Sequence, residues 1–134
     1  GAEALLREAL AVREAALGPD HLDTALTLTN LAMVVPQADE RERLTRRALA
    51  ITEAELGSAH PQTIELRIAA AARTADPRQG VDLLRRGCAA IERFAAENVV
   101  QRTTCLSHLG EHAEEAGDAS TAGEARRQAA ALLE

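Results

Sequence analysis

The chain has 134 residues, room for one domain of ordinary size, and its 30 alanines equal the sum of its Leu, Ile, Val, Met and Phe residues. A core half made of methyl groups must be thin and built from closely approaching helices. Alanine favours helix, and the shortage of β-branched and aromatic residues argues against a sheet. A net charge of −6 with a single aromatic residue argues against nucleic acid, which calls for basic stripes and stacking platforms. No uncharged stretch approaches the ~20 apolar residues of a membrane span and no signal peptide opens the chain, so no membrane partner and a cytoplasmic location are expected. All 15 basic residues are arginine, a bias that reflects a GC-rich coding sequence more than a function.

Seven helices are expected. The first runs from Ala2 to Leu17 and stops at Gly18, a residue suited to the left-handed backbone that ends helices. After the Pro19-Asp20 turn a second spans Asp23 to Val34 and is broken by Pro36. The third, Asp39 to Leu56, stops at Gly57. Pro61 opens the fourth, where its missing N–H costs nothing, and that helix reaches Thr74. Asp76 caps the fifth, which begins at Pro77 and reaches Glu97. The sixth covers Val99 to Ala116, ended by Gly117-Asp118, and the seventh runs from Ser120 to the C-terminus. Every connection is short, so neighbouring helices run antiparallel.

These helices repeat. Residues 9–24 return at an offset of 39, with nine of sixteen identical, including Leu17-Gly18 with Leu56-Gly57, His21 with His60 and Thr24 with Thr63. A fainter third copy aligns Leu84–Ala90 with Thr45–Ile51. On the other helices Leu31-Ala32 maps to Ala70-Ala71 and then to Leu109-Gly110, again in steps of 39. Such a period means stacked helix pairs, none able to bury its own face alone. The strings ALAVREAALGPDHLDTALTLTNLA and RRALAITEAELGSAHPQT resemble tetratricopeptide repeats of the kinesin light chain type, strongly from Ala2 to Thr63 and more weakly afterwards. Two departures stand out. The turns at Pro36 and Asp76 are three residues shorter than that family's 42-residue repeat, only the last pair keeping Gly117-Asp118. Arg67 also stands where the other copies have Leu28 and Leu106, so loose packing or a bend is expected in the middle repeat.

The resemblance implies an all-α fold of antiparallel helix pairs stacked as a right-handed tetratricopeptide-like α-solenoid. Residues 1–134 would form a single domain, with 2–17 the second half of a truncated repeat and 22–56, 61–97 and 99–134 as helix pairs. The missing first half of the leading pair suggests a segment of a longer protein. The resemblance also implies that the first helix of each pair lines a concave groove. Leu31, Ala32, Ala70, Ala71, Leu109 and Gly110, with Ala9, Ala48 and Gly87 on the second helices, are then packing positions. The groove falls on the ladders Leu26, Glu65, Thr104; Thr29, Ile68, Ser107; Asn30, Ala69, His108; and Met33, Ala72, Glu111. Its middle is apolar and Glu65, Glu111, Glu114 and Glu115 make an acidic edge. No arginine occupies a ladder position, so a basic clamp for a terminal carboxylate is missing.

Other constellations reduce to structure. His108-Leu109-Gly110-Glu111-His112 fits the H-x-x-E-H zinc-peptidase spacing, but the repeat accounts for Leu109-Gly110, and few residues follow to supply a third ligand. No metal or cofactor is expected. His21 and His60 recur before helices and read as caps or loop hydrogen-bonders. Arg46-Arg47, Arg85-Arg86 and Arg126-Arg127 read as a salt-bridged outer surface. Cys88 and Cys105 read as buried, reduced small hydrophobes. With no nucleophile elbow and no phosphate loop, the expected function is non-enzymatic: a protein or peptide partner held in the groove, as part of a larger intracellular scaffold or regulator. A self-stacking structural segment and a ligand-sensing domain are the alternatives. The uncapped terminal helices, with Leu5, Leu6, Leu10, Val12 and Leu17 on the first and Ala129, Leu132 and Leu133 on the last, would favour self-association.

Overall fold

A computed structural model describes residues 1–134 and contains seven helices and no strand. They are α1 (Ala2–Leu17), α2 (Leu22–Val34), α3 (Ala38–Leu56), α4 (Pro61–Arg73), α5 (Pro77–Phe94), α6 (Val99–Glu115) and α7 (Ala119–Leu132). They form two compact units, Gly1–Gly57 with α1 to α3 and Ser58–Glu134 with α4 to α7. Within the first, α2 packs on both α1 and α3. Within the second, consecutive helices pack in turn and α4 also touches α6.

The boundaries follow from local chemistry. Gly18 and Gly57 end their helices at φ 95 and 93 with ψ 161, a region open only to glycine, rather than in the left-handed helical cap expected of them. His21 and His60 are the N-caps of α2 and α4. The Nδ1 atom of each imidazole accepts the backbone N–H two residues on, at 3.0 and 3.1 Å. Asp76, Asn98 and Asp118 cap α5, α6 and α7 in the same manner. The Thr121 hydroxyl and backbone N–H, with Arg85 nearby, hold the Asp118 carboxyl below the usual carboxylate range. α5 ends at Phe94, three residues before the Glu97 expected from sequence. Asn98 must leave the helix to accept the N–H of Gln101, so residues 95–98 are needed for the turn.

The first unit buries Leu28, Leu31, Ala32, Val35 and Ala48 almost completely. Three of its buried threonines donate to backbone carbonyls, Thr24 Oγ1 to that of Gly18, Thr27 Oγ1 to that of Asp23 and Thr45 Oγ1 to that of Arg41. In the second unit one cluster joins Ala71, Leu84, Leu106, Leu109, Ala113 and Ala122, and a smaller one joins Ile64, Ile91 and Cys105. The middle repeat does not pack loosely around Arg67. That side chain is 6% exposed and donates to the Leu83 carbonyl at 3.3 Å. Gly87 makes the room: a β-carbon there would stand 3.0 Å from Arg67 Cδ. The equivalent pair in the first copy is Leu28 with Ala48, so volume moves from one helix to the other.

Two outcomes are expected. His21→Ala and His60→Ala should each cost about 1 kcal/mol in urea denaturation, and His→Asp at either site should recover most of it. Gly87→Ala should be more favourable by about 1 kcal/mol in an Arg67→Leu background than in the unaltered chain, because the methyl then replaces a clash with contact. A double-mutant cycle with no coupling would separate the two positions.

Candidate functional site

The expected groove residues occupy the faces of α2, α4 and α6 that packing leaves open. On α2, Leu26 is 55% and Met33 67% exposed, Asn30 is exposed and Thr29 half-buried. On α4, Glu65 and Ala72 are exposed while Ile68 and Ala69 are half-buried. On α6, Thr104, Ser107 and Glu111 are exposed and His108 is half-buried. None of the twelve is buried. The packing positions beside them, Leu31, Ala32, Ala70, Ala71, Leu109 and Gly110, all are. Helical geometry explains the contrast: adjacent residues lie on different faces, so the ones next to a crossing look away from it.

The chemistry of these faces is narrower than their composition. Thr29 and Thr104 donate their hydroxyls to the carbonyls of Ala25 and Val100, both at 2.9 Å. Asn30 and Ser107 make no such bond and are the available polar groups. Ile68 packs on both core clusters of its unit and is only partly a surface residue. Glu114 does not belong to the acidic edge, because it pairs with Arg126 on α7, which holds its carboxyl below the usual range. In the H-x-x-E-H string the Nδ1 of His112 lies 2.9 Å from the His108 carbonyl oxygen, and the His108 ring is 4.0 Å from Glu111.

On the outer helices each arginine of the recurring pairs has a carboxylate partner: Arg46 with Glu42, Arg47 with Glu14, Arg85 with Asp118, Arg86 with Asp82, Arg126 with Glu114 and Arg127 with Glu124. Cys105 is buried with Sγ 3.6 Å from the Leu84 carbonyl. Cys88 departs from expectation in being only half-buried, its thiol pushed up by its hydrogen bond with Cys105 and by burial. It lines a cleft of about 330 Å³ between α5 and α7, over a floor of Leu106 and Leu109 on α6. Sequence reasoning missed this cleft. Its signal was present in the longer turn before α7.

The fold and its faces define the class. The chain has the tetratricopeptide-like repeat fold, and the tetratricopeptide repeat signature matches residues 1–23. Two solved structures extend the likeness over nearly the whole chain. Both are of a protein from Podosopora anserina described as a kinesin light chain with nearly identical TPR-like repeats, one being a single-substitution variant. The variant is 21% identical with a TM-score of 0.83 over 97% of this chain, and the other is 20% identical with a TM-score of 0.84 over 98%. The chain spans 64% and 65% of those two proteins, just under two thirds of their length. No curated protein sequence matches it.

Proposed function

We propose that the chain is a protein-interaction module, not an enzyme, and that each unit holds a segment of a partner protein on the open faces of its own first-type helices, α2 in the first and α4 with α6 in the second. The observation that carries this reading is the exposure of large apolar side chains on a face that packing leaves open. Met33 at 67% and Leu26 at 55% exposure offer apolar area with no intramolecular use. Asn30 and Ser107 supply hydrogen bonds, and Glu65 and Glu111 favour a segment without acidic residues beside them. Peptides selected from a random library on the immobilised chain should lose at least about tenfold in affinity for a Met33→Glu, Ala72→Glu, Ser107→Glu variant, the scale of one lost central anchor. All three positions are exposed, so far-UV circular dichroism should not change. Undiminished binding by the variant would move the site off these faces.

The exposure of α1 favours a second reading, self-association. α1 buries no residue, and Leu5 and Val12 are 67% and 66% exposed, whereas Leu6 and Leu10 are half-buried. Light scattering over a concentration series should show growth in mass that a Leu5→Glu, Val12→Glu variant suppresses. A monomer at every concentration would remove this reading.

A further inference from the structure

The repeat allows one pair of outer helices to be compared twice, α1 with α3 and α5 with α7. Two ion pairs tie α1 to α3, Arg7–Glu40 at 2.6 Å and Glu14–Arg47 at 3.1 Å. α5 follows α1 at an offset of 78, which carries Arg7 to Arg85 and Glu14 to Glu92. α7 follows α3 at 81, since α3 begins at Ala38 and α7 at Ala119. Packing agrees with the longer step. Gly80 sits against the Ala71 carbonyl, and Gly110, which is 39 residues after Ala71, sits against that of Ala122, which is 42 after Gly80. Glu40 therefore becomes Thr121, and Arg85 still reaches it at 2.8 Å.

The second link is broken. Arg47 becomes Gln128, whose amide donates to Glu124 at 3.0 Å, and Glu92 is left with neither ion pair nor hydrogen bond. Both line the cleft over Leu106. Of the other charged groups of its walls, Arg85 is paired with Asp118 and Glu124 with Arg127, while Arg102 donates to the Ala96 carbonyl at 3.2 Å and keeps its charge. One carboxylate remains, beside an apolar floor, where the first unit places a guanidinium. We propose that the α5–α7 cleft is a docking site for an arginine side chain carried on a segment of a partner protein, with Glu92 as its counter-ion. Leu106 and Ala89 would cover the methylene stem, and the planar fork suits a carboxylate with the amide oxygen of Gln128 as second acceptor. This site is separate from the faces of α2, α4 and α6, so variants there leave it intact.

The probe is a capped Ala-Arg-Ala peptide, titrated into the labelled chain and followed by amide chemical shifts. Shifts should concentrate at Ala89, Glu92, Ala125 and Gln128. Replacing the arginine by citrulline, its neutral isostere, should weaken binding by roughly two- to fivefold, and Glu92→Gln should do the same, the range of an exposed ion pair. Gln128→Arg should restore the link in cis and abolish the shifts. Both substituted positions are exposed, so neither endangers the fold. Equal binding of the citrulline peptide, unchanged binding by either variant, or shifts located elsewhere would overturn the proposal. So would cleft shifts that grow with protein concentration alone, which would seat a second copy there instead.

Discussion

Everything in this fold depends on how closely two helices can approach. With alanine supplying half of the apolar residues, large side chains cannot fill wide gaps, and the backbones must close to contact instead. The crossings show it. Ala32, Ala48, Ala70 and Ala113 have no exposed surface, and the missing β-carbon of Gly80 would lie 3.2 Å from the Ala71 carbonyl and 3.1 Å from the His112 ring. Such contacts leave no slack. A larger residue at one crossing must be matched by a smaller one opposite, and Arg67 with Gly87 is that trade made within one repeat. The arginine is held by its stem against the space Gly87 leaves and by the Leu83 carbonyl at one end nitrogen, while its buried Nε finds no hydrogen-bond acceptor.

The parts of this structure legible in the sequence are those that recur. Helix ends at Leu17, Val34 and Leu56 were marked by Gly18, Pro36 and Gly57, and the recurrence of His21 and His60 before helices marked them as caps. α5 was misread because Asn98 carries no repeat partner to announce its role: the polar residues Glu97-Asn98 look like a last helical turn until the cap of α6 claims one of them. The exposed face was legible residue by residue, because neighbours of a packing position must look elsewhere. Its chemistry was less so. Sequence shows that Thr29 and Thr104 have hydroxyls, but not that each donates to the carbonyl one turn back. Ile68 likewise shows its period, not the two clusters it bridges.

The longer turn before α7 had a further consequence. Arg46-Arg47 and Arg85-Arg86 stand 39 apart, but Arg126-Arg127 lies 41 beyond the second pair, where a constant step of 39 would place Glu124-Ala125, so the likeness of the three pairs is one of composition and not of register. The turn adds three residues, so Arg127 takes the place of Arg46 and Gln128 that of Arg47. Arg126 falls instead on the position of buried Leu84, where it is exposed and turns to Glu114. A small insertion in a loop thus rewires charge along a whole helix, because every side chain on that helix changes its opposite number at once. Packing survives such a shift, since Ala122 and Ala125 still meet α6. The ion pairs do not, since each needs one particular partner.

Two kinds of surface result, and electrostatics treats them alike. The first-type faces carry Glu65 and Glu111 with no arginine on the ladder, and the outer cleft carries the unpaired Glu92 together with Arg102, whose bond is to a neutral carbonyl. Each therefore presents an exposed carboxylate that attracts cations locally, in a chain whose net charge is −6. At exposed sites that attraction is screened by salt and adds little to affinity, so its main effect is on the rate and orientation of encounter. The apolar area beside these carboxylates is Met33 and Leu26 on one surface and the Leu106 floor on the other, and on the proposed reading discrimination would rest there. On the proposed reading, charge would guide the approach of a segment and the apolar residues beside it would hold the segment in place.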